Sequence, residues 1–452
     1  MILITSILVL LAVSCSLITG EGLNAQPQGE TSTATQQSTR QQATATQPTP
    51  TIVPTSTREP TPSPTPEPEP SDTSSPTIES APSVTIPPLR SGQDVTITEI
   101  KMIDSSTGWG VGHQGGPIDH ILTTNDGGET WEDRSPPIAP LGAEEQSKRA
   151  WGHFANAQTA WVIFSEEGPP PLEPKLVWRS DDGGETWQAS KPLQLSGDEP
   201  FFTPEELTFV DREHGWLLVH IDAGMSHDYS YLYATQDGGV SWERIVAPYK
   251  DGLQSLRNTG MAFADTQLGW VTKDNLGVLP GAFFEATRDG GATWEDSFLP
   301  APPELDWFNE ISQCVTTAPT FLTPRRAALI VKCKTPDEAD PAEWTHTYIY
   351  TTGDRGETWE HDRLPSPVDD LIFIDAQTGW ALGRDIYTTT DGGLSWVKIK
   401  HVNWNGQFSF IDEQTGWAVA RDEGEIALVT TTDGGETWQL IKPKMASREA
   451  EN

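Results

Sequence analysis

Positive charge and cysteine are both scarce in this sequence. Twenty-nine Lys and Arg stand against 65 Asp and Glu, for a formal net charge of -36 at pH 7. A chain so acidic repels nucleic acid and anionic lipid, which excludes binding to DNA or RNA. Three cysteines are too few for a disulfide-rich scaffold or a four-thiolate zinc site. The nine histidines make no His-Glu-x-x-His pattern, and no glycine-rich loop follows a strand and opens a helix, so neither metal nor cofactor is expected. Long apolar runs are missing too. The first apolar stretch, Ile2 to Val13, is too short to span a bilayer and has the length of a signal-peptide core.

Residues 1–14 therefore read as an export signal. The segment Ala12-Val13-Ser14-Cys15 is similar to a bacterial lipoprotein signal, which implies Cys15 as the lipidated residue and a membrane-anchored, extracytoplasmic protein; an ordinary cleaved signal would make it a secreted one. Residues 15–93 are rich in Thr, Ser, Pro and Gln and poor in branched and aromatic residues, so they cannot bury enough surface to offset ordering entropy. A disordered linker is expected there, with residues 94–445 as the folded domain and 446–452 as a flexible tail.

What the chain has in abundance is one phrase, Ser/Thr-x-Asp-x-Gly-x-Ser/Thr-Trp, written seven times. Its aspartates are Asp126, Asp182, Asp237, Asp289, Asp354, Asp391 and Asp433. They recur roughly every 40 to 60 residues, a period that holds about four short strands per unit. A second phrase precedes each box except the fifth: an apolar residue, Asp or Asn, then Trp five positions later, as in Asp104 to Trp109 and Asp412 to Trp417. Each reads as a strand, a tight turn and a second strand, while the box reads as the hairpin between the third strand and the fourth. The expected fold is all-β, a seven-bladed propeller of four-stranded antiparallel blades. Thirteen of the 18 tryptophans fall in the two phrases, which assigns them to packing between blades. Ring closure stays open, with residues 84–86 as one strand that could extend the last blade.

Turn lengths separate two rims. The first-to-second-strand turn and the box share one end of the strands and never change length, whereas the other connections vary freely, and insertions on one face of a repeat array mark its binding side. Four positions after each second-strand Trp, toward the variable rim, stand His113, Ser165, His220, Asp274, Arg384 and Arg421, with Lys273 beside Asp274. His113, His220, Lys273, Arg384 and Arg421 are the candidate binding residues, suited to an acidic peptide. The competing reading pairs Arg384 and Arg421 with the adjacent Asp385 and Asp422. Tyr229, Tyr231 and Tyr233, spaced two apart, share one strand face as core or as a sugar platform. Cys314 and Cys333 fall in neighbouring strands of the fifth unit and read either as a disulfide or as two buried thiols.

The box is similar to the Asp-box, or BNR repeat, of sialidases and sortilin-type receptors. The pairing of Asp412 to Ala418 with Thr431 to Trp438 resembles more closely the photosystem II assembly and stability factor family. That resemblance implies a monomeric, non-enzymatic propeller that holds a membrane-associated protein through an arginine-bearing patch, here Arg384 and Arg421. The rival implied by the sialidase likeness is a glycoside hydrolase of sialidase or xyloglucanase type, or a carbohydrate-binding propeller. Such hydrolysis needs two carboxyls flanking a cleft, and Asp306, Glu310, Asp369 and Asp370 are acids in variable connections.

Overall fold

The computed structural model describes residues 86–447 except positions 140, 142–146, 168–172, 225–226, 249–252, 311 and 336–343. The expected signal peptide, Cys15 and the linker up to residue 85 lie outside the described residues, as does the chain from 448 onward. Among the described residues every regular element is a strand, and no helix is long and apolar enough to cross a membrane.

Seven antiparallel sheets succeed one another in chain order. Blade one runs from Thr96–Met102 to Thr130–Asp133, blade two from Ser147–Phe154 to Gln188–Ala189, blade three from Thr203–Phe209 to Glu243–Val246 and blade four from Asn258–Phe263 to Glu295–Phe298. Blade five runs from Cys314–Thr316 to Glu360–Leu364, blade six from Asp370–Phe373 to Val397–His401 and blade seven from Asn405–Phe410 to Gln439–Ile441. From blade two to blade seven the first strands of neighbouring blades meet, blade seven's meets blade one's, and Trp109 of blade one donates to Asn156 O of blade two, so the first strands form the inner wall of a closed ring. Second strands such as Gly269–Lys273 and Gly379–Leu382 are buried on both faces, while fourth strands such as Val397–His401 form the exposed outer edge.

The seven boxes fold alike because one carboxylate organises each turn. In blade one, Asp126 accepts from the Thr130 amide at 2.9 Å, the Thr130 hydroxyl at 2.6 Å and the Thr124 hydroxyl at 2.9 Å. The other six boxes repeat this set. Six boxes place a glycine pair at positive φ, as the turn demands. The fifth has Arg355 at φ 71 where the others have the first glycine.

Tryptophans join the blades. Trp161, Trp216, Trp380 and Trp417 each donate their indole N–H to the carbonyl of the first box glycine of the next blade, Gly238, Gly290, Gly434 and Gly127, at 2.8 to 2.9 Å. Three of them also stack on the phenylalanine that ends the next blade's first strand: Trp161 on Phe209 at 3.8 Å, Trp216 on Phe263 at 3.6 Å and Trp380 on Phe410 at 4.0 Å. Such a pair adds about 0.5–1.5 kcal/mol beyond the apolar area it buries.

The C-terminus closes the ring. Lys444–Met445 adds as a fifth, parallel strand to the outer edge of blade one, and Ala446 donates its amide to Trp131 O at 2.8 Å. Ile86 does not extend the last blade. It is buried among Trp109, Val111 and Ile138 at the junction of blades one and two, and Gly92 donates to Met445 O, so the chain just before the first strand lies against the domain.

Blade five reaches the common geometry by other means. Its first strand is broken into Cys314–Thr316 and Thr320–Phe321, both paired with Ala327–Cys333. Cys314 and Cys333 face each other across the pair and form a disulfide. Ala328 occupies the register position that Trp holds elsewhere.

Candidate functional site

The two kinds of connection lie on opposite rims. In every blade the box turn donates a backbone bond to the first-to-second-strand turn, from Gly127 to Ser106 O, Gly183 to Gln158 O, Gly238 to Glu213 O, Gly290 to Gln267 O, Arg355 to Arg325 O, Gly392 to Gln377 O and Gly434 to Gln414 O. These seven bonds bring the uniform turns together at one rim. At the opposite rim the variable connections bond to each other, as in Asp274 to Arg257 O and Val402 to Arg384 O, and to the start of the next blade's first strand, as in Asp119 to Lys148 O and Asn275 to Cys314 O.

The candidate residues divide on that rim. Arg384 is exposed at the short turn between the second and third strands of blade six, and its guanidinium has no hydrogen bond or ion pair among the described residues. Its neighbour Asp385 does not hold it: that carboxylate takes Lys398 at 2.7 Å, His401 at 2.6 Å and the Ser366 hydroxyl. Burial works against ionisation there, but these three donors outweigh it and hold Asp385 at about 2. Arg421, also exposed, donates to Thr98 O of blade one rather than to Asp422. His113 is half-buried and accepts from the Gly115 amide at 3.0 Å. His220 is half-buried against Asp222 O at 2.9 Å and Asp228 at 3.3 Å. Ser165 is buried and donates to Phe202 O.

Lys273 departs from expectation. Its side chain is 0 % exposed, with the ammonium 2.6 Å from Glu285, 2.8 Å from Asn258 Oδ1 and 3.0 Å from Gln254 O. It joins three segments of blade four internally and offers no surface to a partner, because its pairing with Glu285 runs between strands that sequence spacing does not relate. The tyrosines are core as well: Tyr231 and Tyr233 are buried between blades two and three, their hydroxyls on Glu199 and Gln194 O.

A cavity of about 520 Å³ opens on the variable rim among blades three, four and five. Its walls include Glu205, Glu206, Arg257, Asp274, Lys332 and Trp344. Of these, Asp274 alone belongs to the positions singled out from spacing. Arg257 is exposed and its guanidinium has no hydrogen bond or ion pair among the described residues. Lys332 holds Asp369 of blade six at 2.7 Å, and the ammonium groups of Lys332 and Lys334 lie 5.8 and 4.9 Å from the Trp344 ring centroid. Nothing in the repeat phrases marks Arg257 or Trp344, since each sits in a connection peculiar to one blade.

The acids set aside for sugar hydrolysis separate. Asp306 and Glu310 are exposed, Asp369 is paired with Lys332, and Asp370 lies on the inner wall. Among the described residues no group of three or more His, Cys, Asp or Glu is placed to hold a metal ion.

Residues 85–259 match the family model described as photosynthesis system II assembly factor YCF48. The photosystem II assembly lipoprotein Ycf48 of Synechococcus sp. (strain CC9902) is 27 % identical over 176 residues, which are 39 % of this chain and 42 % of that relative. The chain thus spans less than half the length of the curated relative it matches. A solved structure titled YCF48 bound to D1 peptide shares 17 % identity at a TM-score of 0.46, covering 77 % of this chain and 99 % of that one. A puromycin-hydrolysing peptidase of Mycobacterium tuberculosis shares the fold at 13 % identity and a TM-score of 0.52, covering 81 % of this chain and 58 % of that one. The boxes, the seven blades, the family model and the curated relative together describe an Asp-box (BNR) repeat propeller that resembles the photosystem II assembly factor family.

Proposed function

We propose that this propeller is a non-catalytic binding scaffold that holds a protein or peptide partner on its variable rim during the assembly of a membrane protein complex. The observation that carries this reading is the separation of rims: seven interchangeable turns at one end, and at the other single-copy connections with exposed Arg257 and Arg384, unpaired among the described residues. On a protein of net charge -36, such guanidiniums are local donors to a partner's carboxylates. Arg421, exposed in blade seven and donating to Thr98 O, adds a third cation. The match of residues 85–259 to an assembly-factor family, and a relative named an assembly lipoprotein, support the same role. The relative's name as a lipoprotein also supports an extracytoplasmic, lipid-anchored location, for which Cys15 is the candidate.

The test is charge reversal with crosslinking in intact cells. Arg384→Glu with Arg421→Glu, and separately Arg257→Glu, should lower recovery of the main crosslinked membrane partner at least about tenfold, the loss of roughly one charge-assisted contact. Unchanged recovery in both variants would remove the rim cations from the site. Release of sugar from sialosides or xyloglucan by the purified protein would replace a scaffold with a glycosidase. Metabolic labelling of wild type and Cys15→Ser with a fatty acid decides the anchor.

A further inference from the structure

Three inner strands carry a carboxyl at the same register, three residues before their last residue: Glu99 before Met102, Glu206 before Phe209 and Asp370 before Phe373. At the same register blade two carries Trp151. At the matching positions of blades four and five, Gly260 and Ala318 touch, a Cβ on Gly260 falling 2.4 Å from that of Ala318. At blade seven Gln407 bridges to the backbone of Ile100 in blade one. Glu99 and Glu206 have no side-chain hydrogen bond or ion pair among the described residues, and Glu206 also walls the 520 Å³ cavity.

The charges around the ring do not neutralise it. Lys101 approaches Asp370 from the side of the uniform rim, near His153 of blade two. On the other side Arg421 faces Glu99, but so does Asp119, while Glu205 flanks Glu206 and Asp369 flanks Asp370. Of the cavity's cations, Lys332 is engaged by Asp369 and Arg257 stands exposed.

We propose that these carboxyls form a proton-controlled brace: protonated, they let blades one, three and six close on the axis, and ionised, they repel and loosen both the channel and the cavity that Glu206 walls. Burial, then Glu99, Asp370 and Glu205, push Glu206 up to about 8. Burial and Asp119 push Glu99 to about 7, and burial chiefly pushes Asp370 to about 6. Burial also lowers Lys101 and holds His153 at about 4, so that imidazole stays neutral. Lys101 is exposed, and Glu99, Glu206 and Asp370 are half-buried on the inner wall. Native acids raised above their unfolded values bind extra protons, so their stabilisation is whole below about pH 4 and is lost as pH rises to about 8.

Thermal unfolding and infrared spectra of the full chain at about pH 6 and 9 test this. The wild type should melt lower at the higher pH by about 3 °C or more. Glu206→Gln should remove most of that fall, and the triple change Glu99→Gln, Glu206→Gln, Asp370→Asn should abolish it. The infrared band of protonated carboxyl should be present at the lower pH in the wild type, vanish at the higher, and shrink in Glu206→Gln. An equal fall in the triple variant overturns the proposal. If the variants do not fold, absence of the protonated band from the wild type at the lower pH overturns it equally.

Discussion

Blade five and its six siblings reach one geometry with different chemistry. Elsewhere an Asp or Asn carbonyl or carboxylate caps the first turn, as Asp375 does for the amides of Gln377 and Thr378 at 2.7 Å. In blade five Thr323 takes that place, its hydroxyl accepting from Arg325 and Arg326. Where blades two, three, six and seven send an indole N–H to the next box, Arg326 sends its guanidinium to Ala376 O at 2.9 Å and Gly392 O at 3.5 Å. The disulfide holds a first strand that is only three residues long. At the box Arg355 accepts positive φ and uses its side chain to pair with Asp265 of blade four at 2.9 Å. The difference teaches that the propeller selects positions of donors and acceptors, and residue identity only as far as it supplies them.

The largest expected effect lies in a regular blade. Trp380→Ala removes a buried indole, its stack on Phe410 and its bond to Gly434, and should cost about 3–5 kcal/mol in denaturant titration. Breaking the disulfide with Cys314→Ser and Cys333→Ser should cost about 2–4 kcal/mol, and adding reductant to the wild type should reproduce the shift. Arg326→Ala, the counterpart of the tryptophan change, should cost about 1–2 kcal/mol, because the donor is only partly buried and leaves no ring-sized void. A loss as large as that of Trp380→Ala would make the guanidinium a full equivalent of the indole and erase the distinction.

Two smaller effects sharpen the comparison. Thr358 and Thr437 bonds hold Asp354 of blade five and Asp433 of blade seven both at about 2, below the ordinary 3.8. Carboxylates lowered in the native state stabilise it above the unfolded value near pH 4, and that contribution is lost as pH falls toward about 2. Asp354→Asn and Asp433→Asn should therefore lower the melting temperature alike at neutral pH, and both gaps should narrow in acid. Unequal gaps would show that the fifth box is weaker than its bonds suggest. Arg355→Gly should stabilise slightly, by about 0.5–1 kcal/mol, relief of positive φ exceeding loss of a half-exposed pair with Asp265.

The repeat itself was legible from residues because its bonds are local: Asp126 reaches two and four positions along its own chain, so spacing alone specifies the turn. The shared rim of the turns followed from the same counting. Side-chain fate on the variable rim did not. Arg384 and Arg421 reach solvent as expected, whereas Lys273, three residues past Trp270, is drawn inward by Glu285 and Asn258. Arg257 and Trp344 went unnoticed because they recur in no other blade.

From the sequence alone came the number of blades, the uniform rim and the packing role of tryptophan, all written in short phrases whose partners lie within a few residues. Only the tertiary structure decided how the ring closes, which side chains pair on the variable rim and that three carboxyls share one level of the inner wall. These depend on contacts between blades distant in sequence, such as Trp417 with Gly127, and no periodicity encodes which side chains a closed ring brings face to face.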